Sequence, residues 1–369
     1  MHRVRVRGVA AAGVALAAAA LSLAACSSSS TTAPSGGGAS AAKLSGTLNG
    51  SGSTFQLTFQ QTAISNFKSV QPNMTVNYGG GGSGKGRTDL SSNVVQYAGS
   101  DTAPIPSDEV ASFKGKTVLY FPVIVGPITV SYNLSGVSGL KLDGPVIAGL
   151  FDGSIKTWND PKIAALNSGV KLPSTPVVIA RRSDSSGTTA NFSQFLVESA
   201  PGVWKLGSSS TIAWPANSRG GNGNGGVAQI VKTTAGAVGY VDYSDAKASG
   251  LTYASVKNKD GQFVAPSVQS ATTAADNATV NPDLTFSGIW TAGAGSYPIT
   301  YQSFVLVYQA QSSANTAKML QAYLGYLLGD GQKLLPSLNY APLPASLDQK
   351  AKAQLPMIGS SSGASPTSS

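Results

Sequence analysis

Three segments rich in glycine, serine and threonine carry groups that can bind an anion; they are Asn49–Phe55, Tyr78–Gly84 and Arg181–Thr189. Each precedes or flanks a predicted helix start, where free backbone N–H groups and the helix dipole favour negative charge. Arg181 and Arg182 add permanent positive charge in a fork geometry that suits tetrahedral oxyanions. One such segment alone is most often a plain turn. The three together predict an oxyanion-binding site.

The residue types in the chain exclude several kinds of catalytic and metal site. The only histidine is His2 and the only cysteine is Cys26, and both lie in the N-terminal region. The rest of the chain therefore contains no Ser-His-Asp or Cys-His catalytic group, no histidine or cysteine zinc site and no internal disulfide. Gly79–Gly84 fits a dinucleotide-binding pattern, but glycine follows Lys85 where a P-loop has a hydroxyl residue. We predict no cofactor and no metal.

The N-terminus has the pattern of an export signal. Met1–Arg7 is basic and Val9–Ala25 is apolar, and the apolar run ends in Leu-Ala-Ala before Cys26. This ending resembles a bacterial lipobox, which makes residues 1–25 a lipoprotein signal peptide and Cys26 the lipidated mature N-terminus; the alternative is an ordinary signal peptide with an incidental cysteine. Residues 26–42 would then be a lipidated, flexible tether that holds the protein at the extracytoplasmic face of the cell membrane.

The net charge and composition of the chain limit the kinds of partner that it can bind. The 369 residues carry a net charge of +9, which falls to +6 if the first 25 residues, with their three arginines, are removed. The excess forms no dense lysine or arginine stripe, so we predict no nucleic-acid binding. Residues 358–369 are rich in serine, glycine and proline and are predicted to form a disordered tail.

Between residues 43 and 357, extended and helical patterns alternate, which predicts an α/β fold. A Gly-Pro pair at 126–127 is expected to separate two of the strands. The predicted strands are Val76–Tyr78, Val94–Tyr97, Val118–Val125, Ile128–Tyr132, Val177–Ala180 and Ser303–Tyr308. Apolar residues at helical spacing are Phe59, Ala63, Ile64, Phe67 and Val70, then Phe192, Phe195 and Leu196, then Met319, Tyr323, Tyr326 and Leu327.

Short motifs in a fixed order along this region carry a family resemblance. They read LNGSGSTF from Leu48, VNYGGGGS from Val76, QYAGSDTAP from Gln96, IKTWNDP from Ile155, RRSDSSGTT from Arg181, GNGGVA from Gly223, GAVGY from Gly236 and YAPLP from Tyr340. With them the chain resembles the PstS family, the phosphate-binding lipoproteins of the ABC phosphate importer.

The resemblance implies a two-lobed binding-protein fold with hinge strands and a ligand cleft between the lobes. Lobe 1 would be residues 43–122 plus 301–357, and lobe 2 would be residues 123–300. The implied function is capture of inorganic phosphate outside the cytoplasm and its delivery to a membrane ABC permease and its ATPase. The implied protein is a monomer and not an enzyme. The alternatives are an exported binding protein for another oxyanion, or a surface adhesin or phosphatase that reuses the fold.

Carried over residue by residue, the resemblance also implies a ligand set. Phe55 and Gly187 would act through backbone N–H groups, and Arg182 would supply positive charge. Asp184 would orient Arg182; its alternative is a surface aspartate that caps a helix starting near Ser186. The implied phosphate ligands are Thr54, Phe55, Ser83, Asp101, Arg182, Ser186, Gly187 and Thr188.

Asp101 is the implied ligand with the clearest chemical meaning. A carboxylate repels an anion unless the anion still carries a proton to donate, as HPO4²⁻ and H2PO4⁻ do and sulfate does not. A buried acceptor that demands this proton discriminates by roughly 10⁴–10⁵. By local pattern alone, Asp101 is an ordinary turn residue in Gly-Ser-Asp.

Overall fold

Strands and helices alternate along the part of the chain that the computed structural model describes, residues 44–360, so the predicted α/β class is confirmed. The predicted signal peptide 1–25, the tether 26–42 with Cys26, and residues 361–369 of the predicted tail lie outside the described residues. Within residues 44–360, no helix is both long enough and apolar enough to cross a membrane.

The regular elements are numbered in chain order. The strands are β1 Gly46–Gly52, β2 Met74–Gly79, β3 Tyr97–Ser100, β4 Val118–Tyr132, β5 Lys141–Leu142, β6 Val178–Arg182, β7 Arg219–Gly221, β8 Ala237–Asp242, β9 Thr252–Tyr253, β10 Ser255–Lys257, β11 Phe263–Val264, β12 Gly288–Ile289, β13 Ile299–Tyr308, β14 Ala310–Gln311 and β15 Gly359–Ser360. The α-helices are α1 Leu57–Val70, α2 Ser83–Ser91, α3 Gly144–Phe151, α4 Pro161–Leu166, α5 Gly187–Ser199, α6 Gly223–Thr233, α7 Tyr243–Ala248, α8 Val268–Asp276, α9 Ala314–Leu328 and α10 Ala345–Ala353.

One large sheet runs in the order β2-β1-β3-β13-β4-β8-β6-β7. At one end β1 pairs in parallel with β2 and β3, and at the other end β6 pairs in parallel with β7 and β8. Two long antiparallel strands, β4 and β13, join these parallel groups. Residues 118–127 of β4 pair with β13, and residues 128–132 pair with β8. This is the α/β two-group architecture expected of a two-lobed binding protein; the lobe boundaries at 122/123 and 300/301, inside β4 and β13, remain a prediction.

The predicted break at Gly126-Pro127 is wrong, because β4 continues through it. Pro127 lacks an N–H group, but it lies where β4 changes partner from β13 to β8, so little pairing is lost. A side chain on residue 126 would lie 2.6 Å from the ring of Phe55. Glycine therefore lets this ring pack directly against the strand.

Two other predicted boundaries differ from the structure. The predicted strand Val94–Tyr97 in fact begins at Tyr97 and ends at Ser100. Val94 belongs instead to the turn after α2, where its backbone N–H donates to the carbonyl oxygen of Asp89. Val94 is accordingly 63% exposed. The body also extends past Met357: Ile358 is buried and β15 pairs with β14. The predicted tail therefore starts too early.

The predicted helical patterns correspond to α1, α5 and α9. Phe59, Ala63 and Phe67 of α1 are buried against the sheet side of the core, whereas Val70 at the helix end is 52% exposed. Amphipathic burial of this kind supplies most of the stability of a helix in a protein. In α1, α5 and α9 this burial fixes the start of each helix next to the end of the strand that precedes it.

Candidate functional site

The loops that follow four parallel strands converge on one place. The strands β1, β2, β6 and β7 lead within a few residues into α1, α2, α5 and α6. The carboxyl ends of parallel strands and the N-termini of the following helices are the usual ligand-binding edge of such sheets. The backbone N–H of Gly84, at the start of α2, donates to the carbonyl oxygen of Ser185, just before α5, at 3.1 Å. The loops of the two parallel groups are therefore in direct contact.

Asp101 lies in this convergence, immediately after β3, and is buried. Its Oδ1 accepts hydrogen bonds from the hydroxyls of Ser53 and Ser303, each at 2.5 Å, and its Oδ2 accepts one from Ser83 at 3.2 Å. Burial raises the pKa of Asp101, and the bonds from Ser303 and Ser53, the charge of Arg182 and the bond from Ser83 oppose that rise. The site thus holds a buried carboxylate that is organised by hydroxyl donors.

Arg182 ends β6 and is also buried. Its Nε donates to Oδ1 of Asp184 at 2.8 Å, its Nη2 pairs with Oδ2 of the same residue, and its Nη1 donates to Oγ1 of Thr188 at 3.3 Å. Burial raises the pKa of Asp184, but the hydrogen bonds and charge of Arg182 outweigh it and lower that pKa. Asp184 therefore fixes the plane of the guanidinium, and Ser186 rather than Asp184 caps α5.

The N-terminus of α5 contains the next three predicted ligands. The side chain of Ser186 accepts a hydrogen bond from the backbone N–H of Thr189 at 3.2 Å, as an N-cap does. A side chain on residue 187 would lie 2.5 Å from Cβ of Asp101 and 2.6 Å from the hydroxyl of Ser83. Glycine at 187 is thus what allows the helix N-terminus to approach Asp101.

The loop after β1 holds Thr54 and Phe55. The hydroxyl oxygen of Thr54 accepts from both the backbone and the side-chain nitrogen of Asn224, at 3.3 and 3.2 Å. The ring of Phe55 is buried and packs 4.6 Å from the ring of Tyr301, and its N–H donates to the hydroxyl of Ser53. In this structure the backbone N–H of Phe55 thus bonds to Ser53, while its side chain belongs to the core.

The loops and helix starts described above hold every predicted ligand residue, and several further residues that sequence reasoning missed. Ser53 lies in the LNGSGSTF motif beside a predicted ligand, and Asn224 lies in the GNGGVA motif, so the motifs contained a signal for both. Ser303 lies 202 residues from the carboxylate to which it donates, and no local pattern marks it. Arg87 is fully buried; it pairs with Glu109 and donates to the hydroxyls on either side of Asp101, those of Ser100 and Thr102.

The arrangement brings together hydroxyl groups, a helix N-terminus, one guanidinium and one buried carboxylate where the loops meet. That set can hold a tetrahedral oxyanion, and the carboxylate favours one that still carries a proton. In the described part of the chain, no group of three or more histidine, cysteine, aspartate or glutamate side chains is placed to hold a metal ion.

Comparison with known proteins gives consistent matches. Residues 37–330 match a family model described as a PBP superfamily domain. The chain is 36% identical over 314 residues to the phosphate-binding protein PstS 3 of Mycobacterium leprae. The alignment covers 82% of this chain and 85% of that protein. It is 34% identical over 314 residues to the phosphate-binding protein PstS of Pasteurella multocida, covering 84% of this chain and 89% of that one.

A solved structure has the same fold. A high-affinity periplasmic phosphate-binding protein (PfluDING), bound with phosphate at pH 8.5, superposes with a TM-score of 0.69. The alignment covers 84% of this chain and 94% of that one, at 20% sequence identity.

Proposed function

The chain belongs to the PstS family within the PBP superfamily, and from this we propose that it captures inorganic phosphate outside the cytoplasm and delivers it to an ABC permease and its ATPase. Membership rests on identities near 35% across more than four-fifths of the chain. The relatives are named phosphate-binding proteins, and the solved neighbour holds phosphate. The proposed role involves binding and release, with no bond broken.

We propose that phosphate occupies the space where the loops after β1, β2, β3 and β6 meet. The observation that carries this proposal is the pair of opposite buried charges, Asp101 and Arg182, set among hydroxyl groups. In the proposed complex Arg182 neutralises anionic oxygens, which buried hydroxyl and N–H donors also bind. The ligands are those implied by the family motifs: Thr54, Phe55, Ser83, Asp101, Arg182, Ser186, Gly187 and Thr188.

Asp101 gives the proposed site its selectivity. Its Oδ1 already accepts two hydroxyl protons, and Oδ2 accepts a longer bond from Ser83, so Oδ2 has the freer lone pair for a proton from the ligand. HPO4²⁻ and H2PO4⁻ can donate that proton. Sulfate, which has none at neutral pH, would face a buried carboxylate at short range without compensation.

The test is a pair of calorimetric titrations on the purified protein, after bound ligand has been removed by unfolding and refolding. We expect tight binding of phosphate and no measurable heat with sulfate. Binding of both anions would leave an oxyanion-binding role but remove the selectivity assigned to Asp101. Binding of neither would refute the proposed function, and hydrolysis of a chromogenic phosphate ester would point to a phosphatase instead.

We also propose that the protein acts as a monomer, anchored at the extracytoplasmic face by lipid on Cys26. The support is the lipobox-like sequence Leu-Ala-Ala-Cys at the end of an apolar run. A lipid-linked binding protein would stay close to its permease, which raises its effective concentration there. Replacing Cys26 by alanine should move the protein from the membrane fraction to the medium; unchanged membrane retention would contradict the anchor.

A further inference from the structure

Asn224 lies at the start of α6 and is fully buried. Its side-chain Nδ2 donates to the hydroxyl oxygen of Thr54 at 3.2 Å and, through a longer bond of 3.5 Å, to that of Thr188. Its Oδ1 faces the backbone N–H of Asp242 at 3.5 Å. The N–H of Asp242 requires an acceptor, so the amide is oriented with its NH2 group towards the two threonines.

The hydroxyl oxygens of Thr54 and Thr188 each accept two hydrogen bonds. The oxygen of Thr54 receives two donors, the backbone N–H and the side-chain amide of Asn224. The oxygen of Thr188 also receives two donors, from Nη1 of Arg182 and from Asn224. A hydroxyl group has two lone pairs and a single proton. With both lone pairs engaged, each hydroxyl can direct its proton only towards a further acceptor.

We propose that Asn224 is a positioning residue that turns the hydroxyl protons of Thr54 and Thr188 towards the bound phosphate; this rests on the function proposed above. An unconstrained hydroxyl in an empty site rotates and accepts or donates equally well, and binding then has to fix it. With Asn224 in place the two hydroxyls are fixed as donors before the anion arrives. Preorganised donors of this kind contribute more to binding than mobile ones.

The same residue connects parts of the chain that are far apart in sequence. Thr54 is 170 residues from Asn224 and follows β1, whereas Thr188 is in α5, 36 residues away. Asn224 therefore joins the loop after β1, in one parallel group, to the starts of α5 and α6 in the other. A merely structural role for this contact would change stability without depending on the threonine hydroxyls, and this difference makes the inference testable.

The experiment is a mutant cycle with phosphate binding as its measurement. Asn224→Leu removes the amide donors at similar volume, and Asn224→Ala removes them without adding apolar bulk in case the leucine variant does not fold. We expect phosphate affinity to fall by about ten- to a hundred-fold in either variant. In a Thr54→Val, Thr188→Val background, the same Asn224 substitution should cost less than about three-fold, because the hydroxyls through which it acts are gone.

Asn222 provides a matched control. It precedes the same helix, is exposed, and makes no side-chain capping bond, so Asn222→Ala should leave phosphate affinity unchanged. Equal losses on substituting Asn224 with and without the threonine hydroxyls would overturn the inference. If the unsubstituted protein binds phosphate but Asn224→Ala binds it equally well, the inference alone fails. If the unsubstituted protein binds no phosphate, the proposed function fails and the inference falls with it.

Discussion

At the scale of single residues, Asp101 and Arg182 divide the work of the proposed site between attraction and selection. Arg182 is held by Asp184 and supplies the positive charge that any oxyanion needs. Asp101 is held by Ser53, Ser303 and Ser83, and in the proposed site it would admit only an anion with a proton to share. The two charges can therefore be tested separately.

Arg182→Ala should weaken phosphate binding by about 2–5 kcal/mol, or roughly 30- to 5,000-fold, because a buried charge that pairs with the ligand is lost. Arg181→Ala is the control, since Arg181 is half-buried and its guanidinium bonds to Ser218 and a backbone carbonyl. Calorimetry on both variants measures the difference. Tight phosphate binding by the Arg182 variant would exclude Arg182 as a ligand.

Asp101→Asn should weaken phosphate binding and relax the rejection of sulfate. Asparagine keeps an oxygen that can accept from Ser53 and Ser303, but it replaces Oδ2 with an N–H donor that suits a fully ionised anion. The ratio of phosphate to sulfate affinity should fall by on the order of a hundred-fold or more. Competition of the two anions for the purified variant measures this ratio, and an unchanged ratio would refute the role of Asp101.

At the scale of elements, the site depends on strand ends that lead directly into helix starts. Ser186 caps α5 and Asp242 caps α7, where it accepts from the backbone N–H of Asp245. The two capping residues differ in the free energy that their burial costs. Ser186 is neutral, whereas Asp242 is a fully buried carboxyl whose Oδ2 has no hydrogen-bond partner in the described part of the chain.

Asp242 therefore predicts a pH dependence of stability. Burial raises the pKa of Asp242 well above its ordinary value, and the neighbouring charge of Asp245 raises it further. The folded protein holds this proton more tightly than the unfolded chain, so the stabilisation is present at acid pH and is lost as pH rises through the folded-state pKa. Asp242→Asn keeps the capping oxygen and removes the ionisation.

The measurement for Asp242→Asn is the free energy of unfolding of the ligand-free protein at pH 4 and pH 7.5. Relative to the original protein, the variant should be more stable at the higher pH, and this advantage should shrink at the lower pH. Asp160→Asn is the comparison, since Asp160 caps the short helix α4 from the surface. A constant difference across this pH range would show that Asp242 does not titrate as inferred.

At the scale of the whole molecule, the start of α2 lies against the segment before α5. A Cβ atom on residue 84 would overlap the side chain of Ser185, and one on residue 82 would overlap Asp184. Glycine at these positions lets residues from the two predicted lobes approach closely. The described conformation is thus one in which the loops around the proposed site are in contact.

Gly84→Ala should leave folding intact but weaken phosphate binding. Alanine favours the helical conformation by up to about 1 kcal/mol, so the variant should fold at least as well outside the contact. Its methyl group should nevertheless hinder the contact with Ser185 and weaken phosphate binding by about 5- to 150-fold, the range typical of overpacking. Adding Ser185→Gly, which removes the overlapping atoms, should restore affinity; a loss that persists would place the effect elsewhere.

Much of the architecture could be predicted because it depends on local patterns. The helical spacing of Phe59, Ala63 and Phe67 placed α1, and β-branched runs placed β4, β6 and β13. The incorrect predictions concern segments whose structure depends on contacts with residues distant in the sequence. Pro127 is tolerated because β4 changes partner there, and Ile358 is ordered because it packs beside α9, where its carbonyl accepts from Gln321. A single sequence carries no record of such pairings.

The family resemblance implied a site at Asp101, Arg182 and the start of α5, because short motifs in the sequence match those of the family at these positions. What required the fold was the set of contacts that make these groups specific: Ser303 on Asp101, Asn224 between Thr54 and Thr188, and Arg87 beside Asp101. The reason is physical. A hydrogen bond between residues 170 or 202 positions apart exists only once the register and order of the intervening strands are fixed.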